Sequence, residues 1–145
     1  IDNRLLHGIV ANQWVPQYRP QRLMVIDDEY ANDPTKKAAM RMAKPSGVAL
    51  SIISEETALA NFTAGKYDDH TVFVVARAPQ TIQHVIVVGG TVAPAEGQTG
   101  TQVSRRAFIA DDDLTCYRAI AATGCKVFSQ YIPADKPEAL DALIG

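Results

Sequence analysis

Apolar residues fall along this chain in two alternating patterns. Runs rich in β-branched residues at Arg22–Asp27, Val48–Ile53, Thr71–Ala76, His84–Val88, Arg106–Ile109 and Lys126–Gln130 predict strands. Val72-Phe73-Val74-Val75 and Val85-Ile86-Val87-Val88 are continuous apolar stretches, as expected of strands covered on both faces. Between them lie amphipathic segments with helix caps. Asp33-Pro34 opens a helix to about Ala43, with Ala38, Ala39 and Met42 as its apolar face. Ser54 with Glu55 and Glu56 opens a second, ending near Gly65. Asp111, followed by the stripe Leu114, Tyr117, Ile120 and Ala121, gives a third, stopped at Gly124. Asp135 and Glu138 make a capping-box-like pair ahead of Ala139, Leu140 and Leu143, predicting a short closing helix. The alternation predicts an α/β protein: a single domain over residues 1–145, with an open, mostly parallel sheet and helices on both faces.

Two places resist that pattern. Only a short stretch, Arg77-Ala78 and then Pro79-Gln80-Thr81-Ile82-Gln83, separates the strand ending at Ala76 from the one at His84, whereas a parallel crossover needs about a dozen residues or more. Either a segment is absent there, or these strands pair antiparallel, or they are not consecutive members of one sheet. The chain also opens at Ile1 on a charged, turn-like stretch with no strand before it, which reads as a trimmed N-terminus.

Length and composition narrow the function. With 145 residues, 47% apolar, the chain has enough length to bury a core. A formal charge of −2 leaves no global basic field for nucleic acid or an anionic membrane. Cys116 and Cys125 are too few for a disulfide framework and lack metal-site spacing, which fits a reducing compartment. No apolar run approaches the roughly 20 residues of a spanning helix and no signal peptide opens the chain, so the expected location is the cytoplasm.

Candidate chemistry concentrates at the start. Ile1-Asp2-Asn3-Arg4-Leu5-Leu6-His7-Gly8 leads into Ile9-Val10-Ala11-Asn12-Gln13-Trp14-Val15, which reads as a helix with Val10 and Trp14 on one face. His7 thus falls just before or at a helix N-terminus, where unpaired backbone N–H groups and the helix dipole favour an anion. Gly8 lets the backbone come close, Arg4 supplies a permanent cation whose fork of donors suits phosphate oxygens, and Asp2 can pair with Arg4 or accept from the imidazole. These are the parts of a phosphohistidine site, because phosphoryl transfer asks a protein mainly for positioning and charge stabilisation. The same residues also fit a structural histidine satisfied within a loop.

The stretch from Ile1 to Gly8 closely resembles the phosphorylation-site loop of enzyme IIB subunits of the mannose/fructose/sorbose class of sugar phosphotransferase systems, usually Arg-Ile-Asp-Asp/Glu-Arg-Leu-Ile-His-Gly-Gln-Val. Similar too are Val25-Ile26-Asp27-Asp28-Glu29 with Asp33 and Lys36-Lys37, Ala43-Lys44-Pro45-Ser46-Gly47-Val48, Val87-Val88-Gly89-Gly90, and Ala110-Asp111-Asp112-Asp113 before a helix and a Gly-x-x-Val-Phe strand. The likeness runs from Ile1 to about Pro133. It implies a cytoplasmic phosphocarrier, associated with the inner face of the membrane through IIC/IID subunits. His7 would accept a phosphoryl group on Nδ1 from a phospho-IIA domain and pass it to a sugar entering through IIC/IID. Asp2 and Arg4 match flanking residues of the active-site loop. Lys36 matches a position that is often Arg and lies near the partner-binding surface, and Arg77, after a strand end, joins it as a partner-surface candidate. No cofactor or metal is implied, and family members are often dimeric or complexed.

The sequence also departs from the family. Asn3 replaces the usual acid and Ile9 the usual Gln after His-Gly, Gly97 to Gly100 lies in a stretch a few residues longer than expected after the Gly-Gly turn, and Ser104-Arg105 stands for a Thr-Lys-like pair before the following strand. About nine residues after Pro79 and a first strand before Ile1 are missing relative to the family pattern; both coincide with the two awkward places above.

Other features carry weaker signals. His70 and His84 lack metal partners at ligand spacing. Gly89-Gly90 after a strand lacks the pattern of a nucleotide-binding turn, so a small nucleotide-dependent enzyme is the weakest reading. Asp27-Asp28-Glu29 ends a strand and has the composition of a Mg²⁺ site, with turn or helix-capping roles favoured. Arg105-Arg106 reads as a strand start. Trp14 and Tyr18, at i and i+4, read as core packing ahead of a sugar platform. The alternative to a phosphocarrier is a non-catalytic α/β regulatory module that binds sugar phosphates reversibly around Arg4 and Gly8.

Overall fold

A computed structural model describes residues 1–82, 96–104 and 107–139 of the protein. Their contacts divide the chain into two compact units, Arg4–Ala76 and Ile1–Asn3 with Arg77–Gly145.

The first unit is built on three parallel strands, β1 (Arg22–Ile26), β2 (Ala49–Ile53) and β3 (Val72–Ala76), in the order β2-β1-β3. Arg22 stands opposite both Ala49 and Val72 and the register runs unbroken to Ile26. β1 is central because Leu23, Met24, Val25 and Ile26 are all buried. Successive residues point to opposite faces, so this continuous apolar run feeds two cores. Leu23 and Val25 pack with Ile52, Val75, Leu5, Leu6, Val10, Val15 and Met40 on one face. Met24 and Ile26 pack with Ala58 and Tyr67 on the other. Each such aliphatic side chain stabilises the fold by about 1.5–3 kcal/mol when fully buried. Helices therefore cover both faces of this sheet, as the apolar pattern predicts.

The connecting helices begin where the caps place them. Asp33 Oδ1 accepts from the N–H groups of Thr35 (2.8 Å) and Lys36 (3.0 Å) at the start of α3 (Pro34–Arg41). Ser54 Oγ accepts from Thr57 N–H at 3.2 Å to open α4 (Glu55–Thr63). The acidic run at the end of β1 is absorbed in the same way. Asp27 Oδ1 accepts from Tyr30 N–H at 2.9 Å, capping a short helix, α2 (Asp28–Asn32), which the pattern did not predict. Asp28 Oδ1 accepts from Glu55 N–H at 2.8 Å, and Glu29 pairs with Lys36. These carboxylates hold helix ends together.

Upstream, a π-helical turn over Val10–Trp14 runs into α1 (Val15–Tyr18). Trp14 is buried; it stacks on Tyr18 at 5.9 Å, and both rings meet Phe73 of β3. Core packing accounts for Trp14, whereas Tyr18 stacks on it from an exposed position, 54% accessible.

The second unit departs further from expectation. A 3₁₀ turn (Pro79–Ile82) is tied to α5 (Asp111–Ala122) by Gln80 Nε2 donating to Asp113 Oδ1 at 2.6 Å. The expected strand Arg106–Ile109 is β5 (Ala107–Ala110), paired antiparallel with an unanticipated strand, β4 (Gly100–Ser104). α5 buries Tyr117 and Ile120 from the predicted stripe, and Gly124 follows it at φ +87°. The strand expected at Lys126–Gln130 is only β6 (Phe128–Ser129), antiparallel to β7 (Glu138–Ala139). The closing helix expected to start at Asp135 does not form through Ala139. Gln130 Nε2 donates to the carbonyls of Pro133 (3.2 Å) and Asp135 (2.7 Å), and Asp135 Oδ2 accepts from Ile132 N–H. Asp135 thus closes a turn that returns the chain along β6. The predicted strand at His84–Val88, Gly89-Gly90, Arg105-Arg106, Leu140 and Leu143 lie outside the described residues.

Candidate functional site

The loop Arg4–His7 is held by its own apolar residues. Leu5 and Leu6 are buried in the core above β1, so Arg4 stays exposed and His7 half-exposed on either side of the anchored pair. Leu5 adopts φ +58°. A left-handed conformation costs a non-glycine residue about 1–2 kcal/mol, and a leucine 1% exposed supplies the burial that offsets it. Nothing in the sequence signals this: glycine, asparagine or aspartate would announce a left-handed turn, and leucine does not.

His7 occupies the N-cap position of the first helix. Gly8 and Ile9 are already helical, and the carbonyl of His7 accepts from Ala11 N–H at 2.9 Å. Its Nδ1 accepts from the backbone N–H of Ile9 at 3.3 Å. This is the geometry of an N-cap side chain, with a ring nitrogen in place of the usual oxygen. A ring nitrogen that accepts a hydrogen bond presents its lone pair, to which a phosphoryl group would bond. Nδ1 therefore faces a backbone N–H of the first turn, at the positive end of the helix dipole. The bond is long, so turning the ring away from Ile9 costs little, on the order of 1 kcal/mol. Gly8 is exposed, and a Cβ there would meet only Asn12 Nδ2, at 3.8 Å.

The remaining candidates are placed as follows. Asp2 is half-buried and belongs to the other unit. Arg77, exposed, directly follows β3. Lys36 lies in the first turn of α3 and gives its ammonium to Glu29. That hydrogen bond holds the Lys36 pKa above its ordinary value, with the charges of Glu29 and Asp33 acting in the same direction. The feature that residue-type reasoning missed is the backbone of Ile9, whose side chain is the family departure but whose N–H is the group facing Nδ1.

His70 is exposed, both cysteines are free thiols, and among the described residues no group of three His, Cys, Asp or Glu is placed to hold a metal ion. No described helix is long and apolar enough to cross a membrane.

The parallel sheet with helices on both faces defines an α/β domain, with His7 at an exposed helix N-terminus. Residues 1–145 match the family described as the PTS system sorbose subfamily IIB component, and the chain belongs to that family. It is 32% identical over 148 residues to the N-acetylgalactosamine-specific phosphotransferase enzyme IIB component 1 of Escherichia coli, covering 95% of this chain and 91% of that protein. The crystal structure of the IIB domain of the sorbose permease from Klebsiella pneumoniae superposes with a TM-score of 0.87 at 26% identity, covering 99% of this chain and 92% of that one. A third relative, the mannose-specific EIIAB component of Escherichia coli, is 24% identical over 143 residues, covering 93% of this chain and 44% of that longer protein. The protein is thus a IIB component of the sorbose family, whose members are phosphotransferase enzymes of sugar uptake.

Proposed function

We propose that the protein is a phosphocarrier in which His7 accepts a phosphoryl group on Nδ1 from a phosphohistidine of a IIA domain and transfers it to a sugar entering through IIC/IID membrane subunits. The observation that carries this reading is the orientation of His7: its Nδ1 accepts from the backbone N–H of Ile9 in the first turn, at 3.3 Å. In the first step the donor's N–P bond breaks as a bond from phosphorus to His7 Nδ1 forms; in the second that bond breaks as phosphorus bonds to a sugar hydroxyl oxygen, whose proton is released. A loose transition state leaves charge on the three equatorial oxygens. Arg4 and the backbone N–H groups from Gly8 onward are the donors that meet it. Asp2, two residues before Arg4 in the chain, is the loop-ordering residue of this reading.

The IIA partner is supported by the mannose relative, whose name joins A and B components in one protein. Lys36 and Arg77 are the cations assigned to the partner surface. The interface is modest and transient, because a carrier that binds tightly cannot shuttle. The relatives act on N-acetylgalactosamine, sorbose and mannose, so the resemblance leaves the sugar open. His7→Ala tests the proposal: phosphorylation from phospho-IIA disappears while the circular dichroism spectrum is retained. Saturable binding of free sugar phosphates without covalent label would instead identify a regulatory binding module.

A further inference from the structure

Three equatorial oxygens on a phosphoryl group at His7 need more than one backbone N–H, and the first helix carries a side-chain donor in the right place. We propose that Asn12 is a phosphate-binding residue of this site, its side-chain amide donating to the phosphoryl group on His7; the inference rests on the phosphocarrier reading above. Asn12 lies in the π-helical turn Val10–Trp14, one turn beyond Gly8. Helical side chains lean toward the N-terminus and cover the turn before their own Cα. The Asn12 amide does so here: its Nδ2 lies 3.8 Å from the position a Cβ on Gly8 would occupy. Gly8 is the residue next to His7, so this nitrogen stands beside the helix N-terminus that Nδ1 faces.

Three further observations point the same way. Asn12 is exposed, and its amide makes no hydrogen bond among the described residues, so both N–H groups are available. Gly8 leaves an open approach between that amide and the loop, which any side chain on Gly8 would occupy. The turn that carries Asn12 is also wide: Val15 N–H reaches back to the carbonyl of Val10. Such π turns concentrate at functional sites. The chemistry recognised is a tetrahedral phosphoryl dianion on an imidazole, met by a neutral amide that binds it without neutralising it and so permits its onward transfer.

The test uses full-length Asn12→Ala, Asn12→Asp and Asn12→Gln proteins, phosphorylated by phospho-IIA. It measures transfer kcat and KM and the half-life of the phosphohistidine at neutral pH. Losing one donor to a charged acceptor lowers kcat by about tenfold in Asn12→Ala and shortens the half-life. Asn12→Asp adds repulsion and loses more, and Asn12→Gln recovers part of the activity. KM for IIA and the melting temperature stay near wild type, since the side chain is exposed. Asn12→Ala within twofold of wild type overturns the proposal, even if Asn12→Asp is impaired, because charge repulsion alone needs no donor. A wild-type protein that takes no label at His7 overturns the carrier reading itself, and Asn12 falls with it; label present in wild type separates the two failures.

Discussion

Replacing Ile9 by proline removes a single N–H from the candidate site with little other disturbance. The residue has φ −69°, within the range a pyrrolidine ring enforces. Its N–H goes to His7 Nδ1 and to no helical carbonyl, so no bond of the helix is lost. Gly8, without a Cβ, meets the pre-proline clash least. In the unphosphorylated protein the bond to Nδ1 contributes about 0.5–1.5 kcal/mol, and the same donor facing a phosphoryl oxygen contributes about 1.5–3 kcal/mol. The rate reads only the difference, about 1 kcal/mol, so at 1.4 kcal/mol per factor of ten transfer to His7 falls by about five- to tenfold in Ile9→Pro. Ile9→Ala, which keeps the N–H while losing the side chain, separates the two contributions and stays within about threefold of wild type. Quenched-flow transfer of label from phospho-IIA reads the rates, and thermal melting confirms that both variants fold. A folded Ile9→Pro protein that is phosphorylated at the rate of Ile9→Ala refutes the role of this amide.

Three other perturbations test the loop and its surroundings. Leu5→Ala loses about 2–5 kcal/mol of stability through its cavity, and Leu5→Gly, freed of the cost of φ +58°, is at least as stable as Leu5→Ala in urea titrations. The opposite order, alanine above glycine by about 1 kcal/mol as in an ordinary helix, excludes the left-handed conformation. Glu29→Gln lowers the titration midpoint of the Lys36 ammonium toward its ordinary value, followed by NMR of the Nζ resonance; because the folded pKa is raised, the pair's favourable contribution is present below the unfolded pKa and fades as pH rises through the folded one. An unmoved midpoint refutes the Glu29–Lys36 pair. Arg4→Ala slows transfer from phospho-IIA without altering the melting curve, and an unchanged rate removes Arg4 from the phosphate site.

Much of the first unit was legible because its signals are local. β1, β2 and β3 are dense apolar runs, and Asp33 and Ser54 are caps that need only their own N–H neighbours. His7 was legible by residue type and by its position before a helical pattern. Elements that depend on distant partners were not. β4 reads Gly-Thr-Gln-Val-Ser, with no apolar run to announce it, and exists because β5 pairs with it. Asp135 has the signature of a helix cap, yet its carboxylate serves a turn that Gln130 closes from five residues upstream. α2 was hidden because Asp27, Asp28 and Glu29 serve equally well as a turn, a cap or an acidic site by composition. At the site, the left-handed Leu5 and the π turn come from packing against the sheet, which residue-type preferences do not register.

A phosphocarrier of this kind holds the phosphoryl group on His7. Incubation with phosphoenolpyruvate, enzyme I, the phosphocarrier protein HPr and a mannose-class IIA, followed by mass spectrometry at neutral or alkaline pH, addresses this directly. The expected result is one added phosphoryl mass on the peptide containing His7, absent from His7→Ala. An unlabelled protein, with the same IIA active on another IIB, or label that persists in His7→Ala, contradicts it.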